Sequence, residues 1–124
     1  MNIQSSQKVF EILKAKFNPD AEEIWGIYLN SSLDYISSQM IHRGTVNHCL
    51  FHPRDLFREA IRSNCTFIIL AHNHPSGQIL PSNMDLKLTK KVVKMGAFLE
   101  IPVVDHLIFS DRCYFSFKDE KLIS

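Results

Sequence analysis

Between Ala71 and Asp85 the chain reads AHNHPSGQILPSNMD, with His72 and His74 flanking a single asparagine and Ser82 three residues ahead of Asp85. A turn requires only glycine, proline and small polar residues, so two imidazoles and a carboxylate here raise the question of chemistry. If the apolar run before them is a strand, His72 and His74 project from the same face, about 6.6 to 6.8 Å apart at the backbone. Both rings can then converge on one ion at about 2.0 to 2.1 Å from each nitrogen. Asp85, at the start of the following helix, can turn back toward the strand end. Two neutral imidazoles and one carboxylate make a three-ligand set that leaves a fourth position for water, the arrangement of a catalytic zinc site. Each half also has a plainer explanation. His-x-His arises by chance in many strands, and Ser82 with Asp85 fits a capping box. Capping says nothing about the histidines, however, and does not stop an Asp85 oxygen from binding metal.

The elements that must position these groups follow from periodicity and punctuation. Val9, Phe10, Leu13 and Phe17 recur at helical spacing before Pro19, which predicts a helix over 7–17. EEIWGIYLN (22–30) reads as a buried strand and 34–42 as its hairpin partner, with a turn around Ser31 and Ser32. A third extended segment is expected over 44–52. Pro53 then opens a helix whose Leu56, Phe57, Ala60 and Ile61 form one apolar face. CTFIILAHNH (65–74) is the clearest central strand, and its carboxyl end is where open α/β sheets place ligands. A long helix is expected from Ser82 to about Leu99, followed by two closing strands in IPVVDHLIFS and CYFSF, joined by a turn at 110–112. Such alternation predicts a mixed sheet in the α/β class, either an α/β/α sandwich or a sheet wrapped on a helix.

Composition narrows the possibilities. The 124 residues suit one domain over 1–124, and 45% apolar with 22% charged residues is ordinary globular composition. No apolar run approaches the roughly 20 residues of a membrane span, and the amphipathic N-terminus is unlike a secretory signal. A cytoplasmic protein without membrane contact is expected. Net charge is +1, from 14 basic and 13 acidic residues, so no global field favours nucleic acid. Lys87, Lys90, Lys91 and Lys94 are expected to form a solvated helix face. Cys49, Cys65 and Cys113 are too widely spaced for a disulfide framework or a cysteine zinc site, and are expected to be buried free thiols in strands.

The spacing His-x-His, seven residues, Ser, two residues, Asp matches the JAMM (JAB/MPN) pattern at every position. RGTVN, HPRDLFREAI, ILAHNHPSG and IPVVDHLIFSD further resemble the RadC family over about 22–117. The resemblance implies a cytidine-deaminase-like α/β/α sandwich with a mixed central sheet. It implies one zinc ion per chain held by His72, His74 and Asp85, with Ser82 helping to bind the oxyanion. It also implies a general acid/base glutamate on an early strand. Strand parity sends Glu22 and Glu23 to opposite faces, and the family pattern selects Glu22 over Glu23. The implied reaction is hydrolysis of a peptide or isopeptide bond, with a peptide or protein substrate. His42, His48 and His52 are expected to be surface or structural residues. Asp105 and His106 are expected to form a hydrogen-bonded structural pair near the site, with support of the zinc ligands as the lesser alternative.

A non-catalytic reading stands beside this one: a zinc-stabilised scaffold, or an interaction domain associated with DNA repair, as the RadC name suggests. Near-neutral charge weighs against DNA as a partner, and so does the expectation that no N-terminal helix-hairpin-helix region of the family accompanies this domain. Retention of all five site residues favours the enzyme. HNH here is contiguous at a strand end, unlike the dispersed residues of HNH nucleases. The His-x-Glu and Pro-Cys-x-x-Cys signature of nucleobase deaminases and the helical His-Glu-x-x-His of other zinc proteases are both absent.

Overall fold

The structure, a computed structural model, describes residues 5–44 and 51–123. Its elements run α1 (Ser6–Lys14), β1 (Glu22–Leu29), β2 (Tyr35–Gly44), α2 (Pro53–Arg62), β3 (Phe67–Asn73), α3 (Asn83–Leu99), β4 (Val103–Phe109) and β5 (Tyr114–Ser116). The strands form one mixed sheet in the order β2-β1-β3-β4-β5. β1 is antiparallel to both β2 and β3, β3 is parallel to β4, and β4 is antiparallel to β5. β3 is therefore central, as its apolar sequence requires.

Alternation along the strands separates two cores. Ile24, Tyr28, Ile68 and Leu70 pack with Leu56, Phe57 and Ala60 of α2 and Val92 of α3. Ile27, Leu29, Ile69, Ala71, Leu107 and Phe109 pack with Val9, Phe10 and Leu13 of α1. The sheet is thus covered by α2 and α3 on one face and by α1 on the other, the expected three-layer α/β arrangement. No helix among the described residues is long and apolar enough to cross a membrane.

Several boundaries differ from the sequence expectation for local reasons. α1 stops at Lys14 because the Leu13 carbonyl accepts from both Lys16 N and Phe17 N, closing a turn. Phe17 still reaches the core, where its ring meets Phe109 edge-on at 4.7 Å. The β1–β2 hairpin turns as expected: the Asn30 side-chain oxygen accepts from Ser32 N and Asp34 N, each at 2.9 Å. β2 runs to Gly44, two residues past the expected end. β3 ends at Asn73, so His74 belongs to the turn rather than the strand. Nearly all of the expected extended segment over 44–52, with His48 and Cys49, lies outside the described residues. Cys65 is buried just before β3, whereas Cys113 is exposed in the turn before β5, contrary to the expectation of a buried thiol. Lys87, Lys90, Lys91 and Lys94 are exposed, as expected.

α3 is placed by both of its ends. Ser82 caps it in a full capping box, and Glu100 ends it in the left-handed conformation at φ 60°. Near the end, Gly96 lies against the incoming chain: a Cβ there would stand 2.7 Å from the Ile101 carbonyl oxygen. That close approach seats the helix against the start of β4 and fixes where its first turn meets the end of β3.

Candidate metal centre

His72 is the penultimate residue of β3, and His74 follows the strand end. Gly77 N donates to the His74 carbonyl at 2.9 Å, closing a turn through Pro75 and Ser76. Gly77 takes φ +84°, a conformation that glycine adopts without steric cost. The turn also orients a ring, because His74 Nδ1 donates to the Gln78 carbonyl at 2.9 Å. The Nε2 atoms of the two histidines consequently stand 3.0 Å apart.

Asp85 completes a triangle with them. Its Oδ1 lies 3.0 Å from His72 Nε2 and its Oδ2 3.2 Å from His74 Nε2. The same carboxylate serves the cap: Oδ2 accepts from Ser82 N at 2.8 Å, while Asp85 N donates to Ser82 Oγ at 3.1 Å. The cap and the contacts with the two histidines therefore coexist on one carboxylate, as the sequence allowed. Ser82 itself is exposed at the mouth of the site. Its hydroxyl oxygen accepts from the helix, which leaves the O–H hydrogen able to donate outward.

The two adjacent glutamates separate as strand parity requires. Glu22 is buried, and its carboxylate forms a cluster with His72 and His74 in which the ligand atoms all lie within 4.8 Å of one another. Glu23 points away. Its carboxylate accepts from Arg43 Nε at 2.8 Å, Trp25 Nε1 at 3.1 Å and Asn18 N at 3.0 Å. Asn73, between the two histidines, fixes this choice from across the sheet. Its side chain donates to the Ala21 carbonyl at 2.8 Å and accepts from Glu23 N at 2.9 Å, gripping the main chain on both sides of Glu22.

His106 takes the position beside a candidate ligand that the sequence offered only as the lesser alternative, and Thr89, which the sequence reading did not single out, holds it there. His106 Nε2 is 2.8 Å from His72 Nδ1, and His106 Nδ1 is 2.5 Å from Thr89 Oγ1. The expected hydrogen bond between Asp105 and His106 is present, but it runs from the His106 main chain rather than from its ring. Asp105 accepts from the backbone of His106 at 2.7 Å, and its carboxylate lies on the α1 side, bonded to Ser6, Ser116 and Lys118 N. His52 is exposed at the start of α2 and His42 is half-buried on β2; neither enters the cluster.

The electrostatics favour positive charge at the centre of the triangle. Burial pushes the Asp85 carboxyl up, but the His72 and His74 imidazoles beside it outweigh this and hold the group well below the usual carboxylate range. The hydrogen bond to Asp85 raises His74. Burial lowers His72, which is completely enclosed. Donor accounting agrees: a neutral His74 spends its one N–H on Gln78 and so turns a bare Nε2 toward the Asp85 carboxylate. Such a set of lone pairs calls for a proton or a cation. The two Nε2 atoms stand 3.0 Å apart with the Glu22 carboxylate within 4.8 Å of the ligand atoms of both rings, and Asp85 turns one oxygen to each ring. Glu22, His72 and His74 can therefore hold a metal ion, and Asp85 stands beside them as a second carboxylate in contact with both imidazoles.

Comparison with known proteins agrees with this architecture. The model of the family described as RadC-like JAB domain matches residues 3–122. Among curated relatives, a UPF0758 protein of Chlorobium chlorochromatii is 36% identical over 122 residues, covering 98% of this chain and 55% of its own length. A UPF0758 protein of Enterococcus faecalis is 37% identical over 98% of this chain and 53% of its own, and one of Thermotoga maritima is 39% identical over 95% and 53%. The chain thus spans about half the length of the curated relatives it matches. Matched over nearly its whole length, and built on a five-stranded mixed sheet with a histidine pair at the end of its central strand, the chain belongs to the RadC-like JAB domain family.

Proposed function

We propose that this chain is a zinc-dependent hydrolase of amide bonds, a peptidase or isopeptidase acting on a peptide or protein. The observation that carries the reading is the convergence of Glu22, His72, His74 and Asp85, from three separate elements, at the end of β3. His72, His74 and Asp85 would hold the ion, a reading supported by the 3.0 Å between the two Nε2 atoms and by an Asp85 carboxylate that touches both rings. Zinc, when bound, supplies Lewis acidity that brings the ionisation of water down to about pH 7.

The chain's own residues supply the rest. Glu22 takes the proton of the attacking water and returns it to the leaving amine. The Asn73 bonds that hold β1 on either side of Glu22 support this role. Ser82 donates its hydroxyl hydrogen to the oxygen that gains charge as the carbonyl carbon becomes tetrahedral. Burial of His72 and Asp85 keeps bulk water from screening that charge.

The test combines metal analysis with turnover of fluorescein-labelled casein and of a lysine isopeptide-linked dipeptide. Wild type should hold about one zinc per chain, and Asp85→Ala and His74→Ala should release it. Glu22→Gln should retain zinc yet lose turnover by at least about a hundredfold, the effect of removing a general base. Zinc retained by Asp85→Ala and lost from Glu22→Gln would exchange the two carboxylates' roles. Turnover unchanged in Glu22→Gln would remove the proposed base.

A further inference from the structure

A metal-binding imidazole usually donates its other N–H to a carboxylate, a carbonyl or water. His72 instead meets a second buried histidine, and this limits where each proton can be. Thr89 sits inside α3, and its hydroxyl donates to the Asp85 carbonyl at 2.8 Å. That bond uses its only hydrogen, so toward His106 Nδ1, at 2.5 Å, Thr89 can only accept. His106 Nδ1 must then carry hydrogen. A neutral imidazole has one N–H, so His106 Nε2 accepts, and the atom it accepts from is His72 Nδ1 at 2.8 Å. His72 therefore carries its hydrogen on Nδ1 and presents the Nε2 lone pair to the triangle. In the opposite sense, a hydrogen on His106 Nε2 would place hydrogen on the very atom of His72 that must bind.

We propose that His106 is a positioning residue which, held by Thr89, fixes the ring tautomer of His72 so that its Nε2 is open to metal. The inference rests on the reading of this site as a metal centre. Three features make the relay directional. His72 and His106 are fully buried and Thr89 is 4% exposed, so bulk water does not replace a partner. Phe117 stacks on the His106 ring at 4.6 Å and 14°, which holds its plane. The relay ends on the carbonyl of Asp85, so the same residue supplies a carboxylate to the triangle and the final acceptor of the chain that orients His72.

Ring-nitrogen NMR on metal-free protein reads tautomers directly, and competition with a chromogenic chelator reads zinc affinity. Wild type should show hydrogen on Nδ1 of both His72 and His106. Thr89→Val, which cannot accept, should lose that signature and weaken zinc binding about tenfold, while Thr89→Ser should restore both. His106→Leu should weaken zinc binding by about 10- to 100-fold. Thr89→Val and Thr89→Ser both share the helix and its packing, so they remain informative if His106→Leu fails to fold. Hydrogen on Nε2 of His106 in wild type, or zinc affinity unchanged in Thr89→Val, overturns the proposal while leaving the metal centre intact. Wild type that takes up no zinc overturns the metal centre and this inference with it.

Discussion

Glu22 and Glu23 are chemically identical neighbours with opposite duties. Parity alone shows that only one can face the histidines, but not which one, because that depends on how β1 pairs with β3. The antiparallel register sets Ile24 opposite His72, which brings Glu22 to the same face near His74. Glu23 instead anchors the sheet edge through Arg43, Trp25 and Asn18. Its side chain is fully enclosed while that of Arg43 is half-exposed, so the cost of disturbing the pair falls mostly on the glutamate side. Glu23→Gln should lower stability by about 1.5 to 3 kcal/mol, the range for hydrogen bonds to a charged group, with zinc content and Glu22 chemistry preserved. Urea denaturation alongside metal analysis would check this. Loss of metal in Glu23→Gln would show that parity had been assigned to the wrong residue. That His72, His74 and Asp85 come together was legible from their spacing, since a strand end and a capped helix start are local features. His106 was not, because its partner is supplied by a strand 34 residues away in sequence.

At the level of elements, β4 decides which member of Asp105-His106 reaches the site. Ile68 pairs with Val103 but Ile69 pairs with Asp105, so the register skips Val104. Without that irregularity Asp105 would face α3 and His106 would face α1. A single bulged residue exchanges two side chains between faces of a sheet, and a sequence pattern of uniform period does not reveal it. The displaced Asp105 ties β4 to α1 through Ser6 and to the chain after β5 through Ser116 and Lys118 N. Burial raises its pKa despite the hydrogen bonds from Lys118 N, Ser116, His106 N and Ser6 that favour the carboxylate. The folded protein thus binds this proton more tightly than the unfolded chain, whose Asp titrates near 3.9. Its contribution to stability is fully present below that value and is lost as pH rises through the raised folded pKa. Urea midpoints of wild type and Asp105→Asn, compared from pH 4 to 7, should show wild type falling relative to the variant as pH increases. A constant difference would mean that Asp105 titrates alike in both states.

For the whole molecule, the layered α/β architecture followed from the sequence because helix and strand periods alternate cleanly and β3 is apolar throughout. The site joins α3, β1 and β3, elements that otherwise belong to separate stretches of chain, so an ion there should act as a cross-link in the native state. A ligand that binds only the folded form adds about 2.7 kcal/mol at a hundred times its Kd. For a domain of this size that is on the order of 10 °C in Tm. Thermal unfolding with zinc and with chelator should differ by that amount in wild type and show no difference in His74→Ala. An equal shift in both proteins would place the stabilising ion elsewhere.

Asn73 holds β1 through main-chain atoms alone, at Ala21 and Glu23 on either side of position 22. Position 22 is therefore a socket: the sheet delivers whatever side chain stands there to the histidine pair, without reference to its chemistry. Replacing the glutamate changes the reagent and not its address. The placement of the proposed base is a property of the letter between the two histidines, and the identity of the base is a separate choice that the fold leaves open.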